Sequence, residues 1–278
     1  MNMPNKARKY GDRAVIEPAR VIQERKKVGL HPSCPVPAGA ILCYDTAFWQ
    51  WVCETPGHVE GDGWLKGAYL VPCPPSPRLR RTGNDARILV LKVPGFGAPT
   101  AVMTLEELAA YGIKTFVNIG AAGGLQRNMS IGDIVICDRA IRDEGASDHY
   151  VPVEKYAFPC PELTESLCTA FERKGISYRK GTTWTTDAPY RETIGELRQY
   201  RADGVATVEM EASALLAVGA YRGVSVSAVF AISDILSEED WHQGYHSEEK
   251  LKGLKQIFEV ALEAIAINSS NKQKRENK

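Results

Sequence analysis

Lys114-Thr115-Phe116-Val117-Asn118-Ile119-Gly120-Ala121-Ala122-Gly123-Gly124 is the stretch on which the fold turns. Its first half, ending at Ile119, is a short apolar run of the kind buried on both faces of a sheet. Its second half clusters small residues at a strand end, which leaves room for a flat ligand or for a second backbone. Upstream, Ile88–Val93 is another such run. A glycine-rich turn follows it, then Thr100–Tyr111, rich in helix formers and stopped by Gly112. Downstream, Asp133–Cys137 reads as a strand and Pro161–Lys174 as a helix ending at Gly175. Glu211–Arg222 reads as a helix ending at Gly223, Val226–Ile232 as a strand closing on Ser233-Asp234, and Ser247–Ile267 as a long amphipathic helix. Strand–helix alternation predicts a mainly parallel or mixed sheet covered by helices on both faces. In such sheets ligands bind beyond the carboxyl ends of the strands.

The flanks differ from this body. Residues 1–27 carry eight Lys/Arg against three Asp/Glu, and residues 1–35 read as a polar, basic arm with a short helix at Pro18–Lys27. Asp12, Glu17 and Glu24 break the charge pattern that a targeting peptide needs. Residues 72–77, Pro-Cys-Pro-Pro-Ser-Pro, lack the N–H groups for a ladder or helix and read as a loop. Residues 268–278 read as a disordered tail, which leaves 36–267 as one domain. Across the chain 34 basic and 34 acidic side chains balance, which argues against a nucleic-acid or anionic-membrane partner. No apolar run reaches the ~18–20 residues of a membrane span. Seven cysteines without zinc spacing fit reduced thiols in a cytosolic protein with no metal site.

Four constellations fall at the predicted strand ends. Gly95-Phe96-Gly97-Ala98-Pro99-Thr100 lets the backbone approach a ligand at a helix N-terminus, or merely packs strand against helix. Thr100 stands where a dinucleotide fingerprint needs its third glycine. Asn118-Ile119-Gly120-Ala121-Ala122-Gly123-Gly124 makes space for a flat ligand or a tight crossover. In Val208-Glu209-Met210-Glu211 an extended backbone would point both carboxylates one way. Buried there, they need partners, and a ribose diol is one; the other reading is an exposed acidic turn. Asp234 after Ser233 is either a helix N-cap or an acid of a site.

The order G-x-G-A-P-T, G-A-A-G-G-L with G-D-I-V-I, R-D-E-G-A-S, V-E-M-E-A and S-D resembles the nucleoside phosphorylase/nucleosidase family over about residues 88–267. The first ~85 residues match poorly, apart from a first strand at Gly39–Tyr44. The resemblance implies a single-domain, three-layer α/β/α fold whose central mixed sheet is partly barrel-like. It implies cleavage of the bond between ribose and base, with a nucleoside as substrate. Glu209, Met210 and Glu211 would hold the ribose, and Glu211 its hydroxyls. Asp234 would hydrogen-bond N7 of a purine and give it a proton as the base departs. Ala121, Ala122, Gly123, Asp187, Tyr190 and Ser233 would line the base pocket, with Tyr190 stacking on the base. Arg191 would bind an anion or a neighbouring carboxylate, and Arg142 would order its loop. No cofactor is implied beyond inorganic phosphate as co-substrate, and the family forms dimers or hexamers of identical chains.

Departures from the pattern fall on the phosphate site. Gly97, Asn118 and Asp45 occupy the positions of the phosphate or water site. The family's phosphorylases carry arginine where this chain has Asn118 and Ser or Thr where it has Ala121. The strand end Leu42-Cys43-Tyr44-Asp45-Thr46 lacks their arginine as well. Each lost charge-assisted donor removes ~1.5–3 kcal/mol of anion binding. Asn118 is similar instead to the nucleosidases, which use water, and Asp45 would stand in for their acid. Arg78, Arg80 or Arg81 would be the replacements if phosphate is retained. A nucleoside-binding module without turnover and a nucleotide-binding dehydrogenase are the competing classes.

Overall fold

In the computed structural model, residues 10, 12–74, 86–237 and 241–276 are described, with side chains described through 268. In chain order the elements are α1 (Pro18–Lys27), β1 (Gly39–Cys43), α2 (Thr46–Glu54), β2 (Val59–Glu60), β3 (Tyr69–Pro72), β4 (Arg87–Lys92) and α3 (Ala98–Tyr111). Then come β5 (Thr115–Gly124), β6 (Ile134–Asp143), β7 (Tyr156–Ala157), α4 (Pro161–Lys174), β8 (Arg179–Thr186) and α5 (Ile194–Ala202). The chain closes with β9 (Thr207–Glu209), α6 (Ala212–Arg222), β10 (Ser225–Leu236), β11 (Trp241–Gln243) and α7 (Glu248–Glu276).

The strands form one mixed sheet in the order β11-β10-β6-β8-β9-β5-β1-β4-β3-β2. β10 also pairs with β5 in parallel, so β5, β10, β6, β8 and β9 close into a ring. That ring is the partly barrel-like sheet expected from the sequence. β1, beside β5, carries the ladder outward to β4.

Strand alternation divides the core between two faces. Leu42, Phe116, Ala228 and Phe230 pack with Leu105 and Leu108 of α3 and Leu215 and Val218 of α6. Ile41, Val117, Ile119, Val229 and Ala231 pack with Phe48 of α2, Leu167 and Phe171 of α4, and Ile257 and Phe258 of α7. These are the three layers, helix on sheet on helix.

Several boundaries differ from the sequence reading. β5 runs on through Gly120–Gly124 instead of ending before the small residues. Without side-chain bulk this end pairs with two partners at once: Gly123 lies opposite Val208 of β9 and Asp234 of β10. The arm docks through α1, where Arg25 makes a two-pronged ion pair with Glu107 of α3 and lies over the Trp64 ring. The segment expected as a disordered tail continues α7 to Glu276, since Lys, Gln, Arg and Glu prolong a helix readily. At its start Asn268 is buried and donates to Thr115 Oγ1 at 3.2 Å. Residues 75–77 of the proline-rich loop, and Arg78, Arg80 and Arg81, lie outside the described residues. No helix among the described residues is long and apolar enough to cross a membrane.

Gly219 of α6 lies so close to β10 that an added Cβ would stand 2.3 Å from Val226 Cγ2. Overpacking of this kind costs about 1–3 kcal/mol. Gly219→Ala is therefore expected to lower the urea midpoint without changing the slope; an unchanged midpoint would show that α6 can move off the sheet freely.

Candidate active site

The glycine end of β5 pairs on one side with β9, which ends at Glu209, and on the other with β10, which carries Asp234. Asp234 follows a bulge in β10: Ile232 pairs with Ala122, Ser233 is the extra residue, and Asp234 pairs with Gly123. The strand continues beyond it to Leu236, so Asp234 is not a helix N-cap. It is 5% exposed. Its Oδ1 accepts from Ser233 Oγ at 2.6 Å and its Oδ2 from the Trp241 indole at 2.8 Å. Gly123 is what permits this approach, because a Cβ there would lie 2.5 Å from Leu236 Cδ1 and 3.4 Å from Asp234 Oδ2.

Glu209 and Glu211 do not act as the parallel pair that strict alternation predicts. β9 stops at Glu209, and Glu211 is already the N-cap of α6 with φ −135° and ψ −32°. Glu209 faces back into the ring. Its Oε1 accepts from Thr185 Oγ1 at 2.5 Å and from Thr183 Oγ1 at 3.4 Å. Its Oε2 accepts the first N–H groups of the α6 turn, Glu211 N at 2.9 Å and Ala212 N at 2.8 Å. Four protein donors thus meet on the Glu209 carboxylate. Glu211 stands on the other side, buried, and accepts from Gly97 N at 2.6 Å. Burial first, then the charge of Glu209, pushes its carboxyl up to about 8. Met210 between them is half-buried.

Gly97, Asp45 and Asn118, expected at the phosphate or water site, each have protein partners. The Gly97 N–H, at φ +97° ahead of α3, is turned to Glu211. Asp45 is not a free acid: it caps α2 through Phe48 N at 2.8 Å and pairs at 2.6 Å with Lys250, which is 4% exposed. Lys250 also donates to the carbonyl of Tyr245. Asn118 is 1% exposed, and its Oδ1 accepts from the Tyr44 hydroxyl at 2.8 Å. Among the described residues no Arg or Lys side chain hydrogen-bonds to Tyr44, Asn118, Gly97 or Glu211. No group of three or more His, Cys, Asp or Glu among them is placed to hold a metal ion.

On the base side, Ala121 and Ala122 lie on β5 beside β10, and Ser233 is the bulge residue. Asp187 is exposed and accepts from Gly145 N at 2.8 Å, tying the turn after β8 to the loop after β6. Tyr190 is 98% exposed in the turn Pro189–Arg191. Arg191 is exposed too. Arg142 orders its loop, donating to Ser147 Oγ, Asp148 Oδ1 and the Pro152 carbonyl. Three neighbours escaped the sequence reading. Trp241 stands on Asp234, and Tyr245 packs edge-on against it with ring centroids 5.6 Å apart. Burial, then Asp234 and Glu192, push the Tyr245 phenol up to about 12. Burial, then Asp234, raise Glu192 to about 7. Trp241 and Tyr245 lie beyond the last apolar strand run, where no periodic signal in the sequence announced them.

With this geometry in place, the comparisons are specific. The family model of the phosphorylase superfamily matches residues 75–266. The chain belongs to the phosphorylase superfamily. It is 35% identical over 154 residues to a uridine phosphorylase of Thermococcus kodakarensis, covering 50% of this chain and 54% of that protein. It is 30% identical over 173 residues to a DeoD-type purine nucleoside phosphorylase of Bacillus cereus, covering 61% of this chain and 72% of the relative. The match to the first of these thus spans about half its length. Among solved structures, a purine nucleoside phosphorylase from Toxoplasma gondii in complex with immucillin-H superposes with a TM-score of 0.69 at 21% identity. That match covers 84% of this chain and 92% of the other, and it establishes the common fold.

The raised Glu211 carboxyl has a measurable consequence. Folded, it keeps its proton up to about 8; unfolded, it gives it up near 4.5. The folded state therefore binds more protons in that window, and stability falls as pH rises through it. Glu211→Gln keeps an acceptor for Gly97 and cannot ionise. Its melting temperature is expected to fall less across the window than that of the unaltered protein; equal slopes would place the proton elsewhere.

Proposed function

We propose that this chain cleaves the N-glycosidic bond of a nucleoside, with a purine-type base as the leaving group. One observation carries the reading: two carboxylates are buried beside the strands paired with the glycine end of β5, Glu211 at the N-cap of α6 just past β9 and Asp234 on β10. As the bond breaks, the sugar gains oxocarbenium character and the base gains negative charge. A carboxylate has about four lone-pair sites, and Ser233 and Trp241 use two of those on Asp234. A remaining position on Asp234 that carries a proton can donate it to N7 of the base, which neutralises the charge as it develops. Glu211, protonated at neutral pH, offers the ribose hydroxyls both a donor and an acceptor. Ala121, Ala122, Gly123 and Ser233 form the floor on which the base would lie.

Phosphate is the acceptor that the relatives' names support, giving ribosyl transfer to inorganic phosphate. Water is the second reading, favoured by Asn118 and Ala121 where the family's phosphorylases carry Arg and Ser or Thr. A homo-oligomer, dimer or hexamer, belongs to the proposal. Exposed Phe96 and Met103, on the Gly97 loop and α3, support it as apolar surface beside the site.

The test is base release from a panel of purine and pyrimidine nucleosides, with and without phosphate, followed by chromatography. Asp234→Asn is expected to lower kcat about 100-fold or more while the protein folds. Glu211→Ala is expected to weaken ribonucleoside binding sharply. Full activity of Asp234→Asn on purine nucleosides would remove the proton-donor role. Unchanged KM and kcat in Glu211→Ala would remove the sugar assignment.

A further inference from the structure

The strand end that departs most from the family pattern places a phenol inside the site. Leu42 of β1 lies opposite Asn118 of β5 in the parallel ladder. Two residues on, Tyr44 shares the face of Leu42, and its ring lies over Gly120, where an added Cβ would meet Tyr44 Cδ2 at 3.7 Å. Its hydroxyl reaches Asn118 Oδ1 at 2.8 Å. Both side chains are buried, at 6% and 1% exposure. Burial, then Glu211 and Glu209, hold the phenol well above its ordinary range, so it keeps its proton and donates it to Asn118.

The wall formed here is neutral to acidic. The Gly97 N–H is committed to Glu211, and the buried Lys250 is committed to Asp45 and the Tyr245 carbonyl. A phosphate anion beside Tyr44 would find no Arg or Lys among the described residues to neutralise it, since the buried Lys250 ammonium is held by Asp45. A water molecule needs no such counter-charge. The Tyr44 oxygen, having donated once, keeps lone pairs to accept from it.

Resting on the glycosidic-cleavage reading, we propose that Tyr44 is the specificity-determining residue for the acceptor: it fills the anion position and, together with Asn118, orients water towards C1′. The water oxygen bonds to C1′, and the electron pair of the C1′–N bond leaves with the base. The base takes a proton from Asp234. The proton shed by the water restores that one through solvent, so the products are free ribose and neutral base.

The test uses the full-length protein, nucleoside substrate and inorganic phosphate. The unaltered protein is expected to release base at a rate indifferent to phosphate and to yield free ribose. Tyr44→Phe keeps the ring over Gly120 and removes the hydroxyl. Its kcat is expected to fall roughly tenfold, the scale of one lost hydrogen bond, with KM nearly unchanged, and its melting temperature to fall as well because the buried Asn118 Oδ1 loses its donor. A purely structural hydroxyl would change the melting temperature and leave kcat alone, and that result overturns the proposal. Phosphate-dependent release with ribose 1-phosphate as product overturns the role of Tyr44 while leaving glycosidic cleavage intact. No base release from any nucleoside overturns both. Should Tyr44→Phe not fold, the phosphate dependence of the unaltered protein alone decides.

Discussion

The double pairing of the β5 end is the constraint on which the rest depends. Gly123 and Gly124 hydrogen-bond on one side into β9 and on the other into β10, which closes the ring. Any side chain at Gly123 would strike Leu236 and Val208. The same closure delivers the ends of β9 and β10 to one spot, so the feature that shapes the barrel also gathers the carboxylates. The bulge at Ser233 then turns Asp234 to Gly123.

Inside that ring the polar groups are settled among themselves before any ligand arrives. Thr183 and Thr185 of β8 donate to Glu209, and Glu209 satisfies the first N–H groups of α6. Ser213 extends the chain of bonds to Glu144, which in turn holds the backbone of Ala146 and Ser147. A carboxylate buried this way is stable because its donors are fixed. It is also why the two glutamates around Met210 differ: one organises the scaffold, and the other, with fewer donors, retains its proton.

The sequence made the alternating strands and helices legible wherever burial on both faces produced an unbroken apolar run, as in β4, the first half of β5 and β10. It concealed β8, whose inward residues are threonines satisfied by a distant glutamate, so that no apolar run marks it. Motif order identified the family, while directions of side chains stayed hidden. The parity argument for Glu209 and Glu211 failed because the strand ends between them. The partner of Asp45 was not legible either, because Lys250 lies 205 residues further along the chain. Tyr44 was visible only as part of a strand end; the bond to Asn118 depends on register, which local sequence does not encode.

The Asp45–Lys250 pair has a consequence in time. It joins the first strand's end to the first turn of the last helix, and through the Tyr245 carbonyl it fixes the segment that carries Trp241 to Asp234. Contacts of such sequence separation form late, since the long loop must be closed before they stabilise anything. On the ribosome, a nascent chain can build β1, β5 and the α3 layer and still lack this clasp. The segment carrying Trp241 to Asp234 therefore stays unclasped until α7 has emerged.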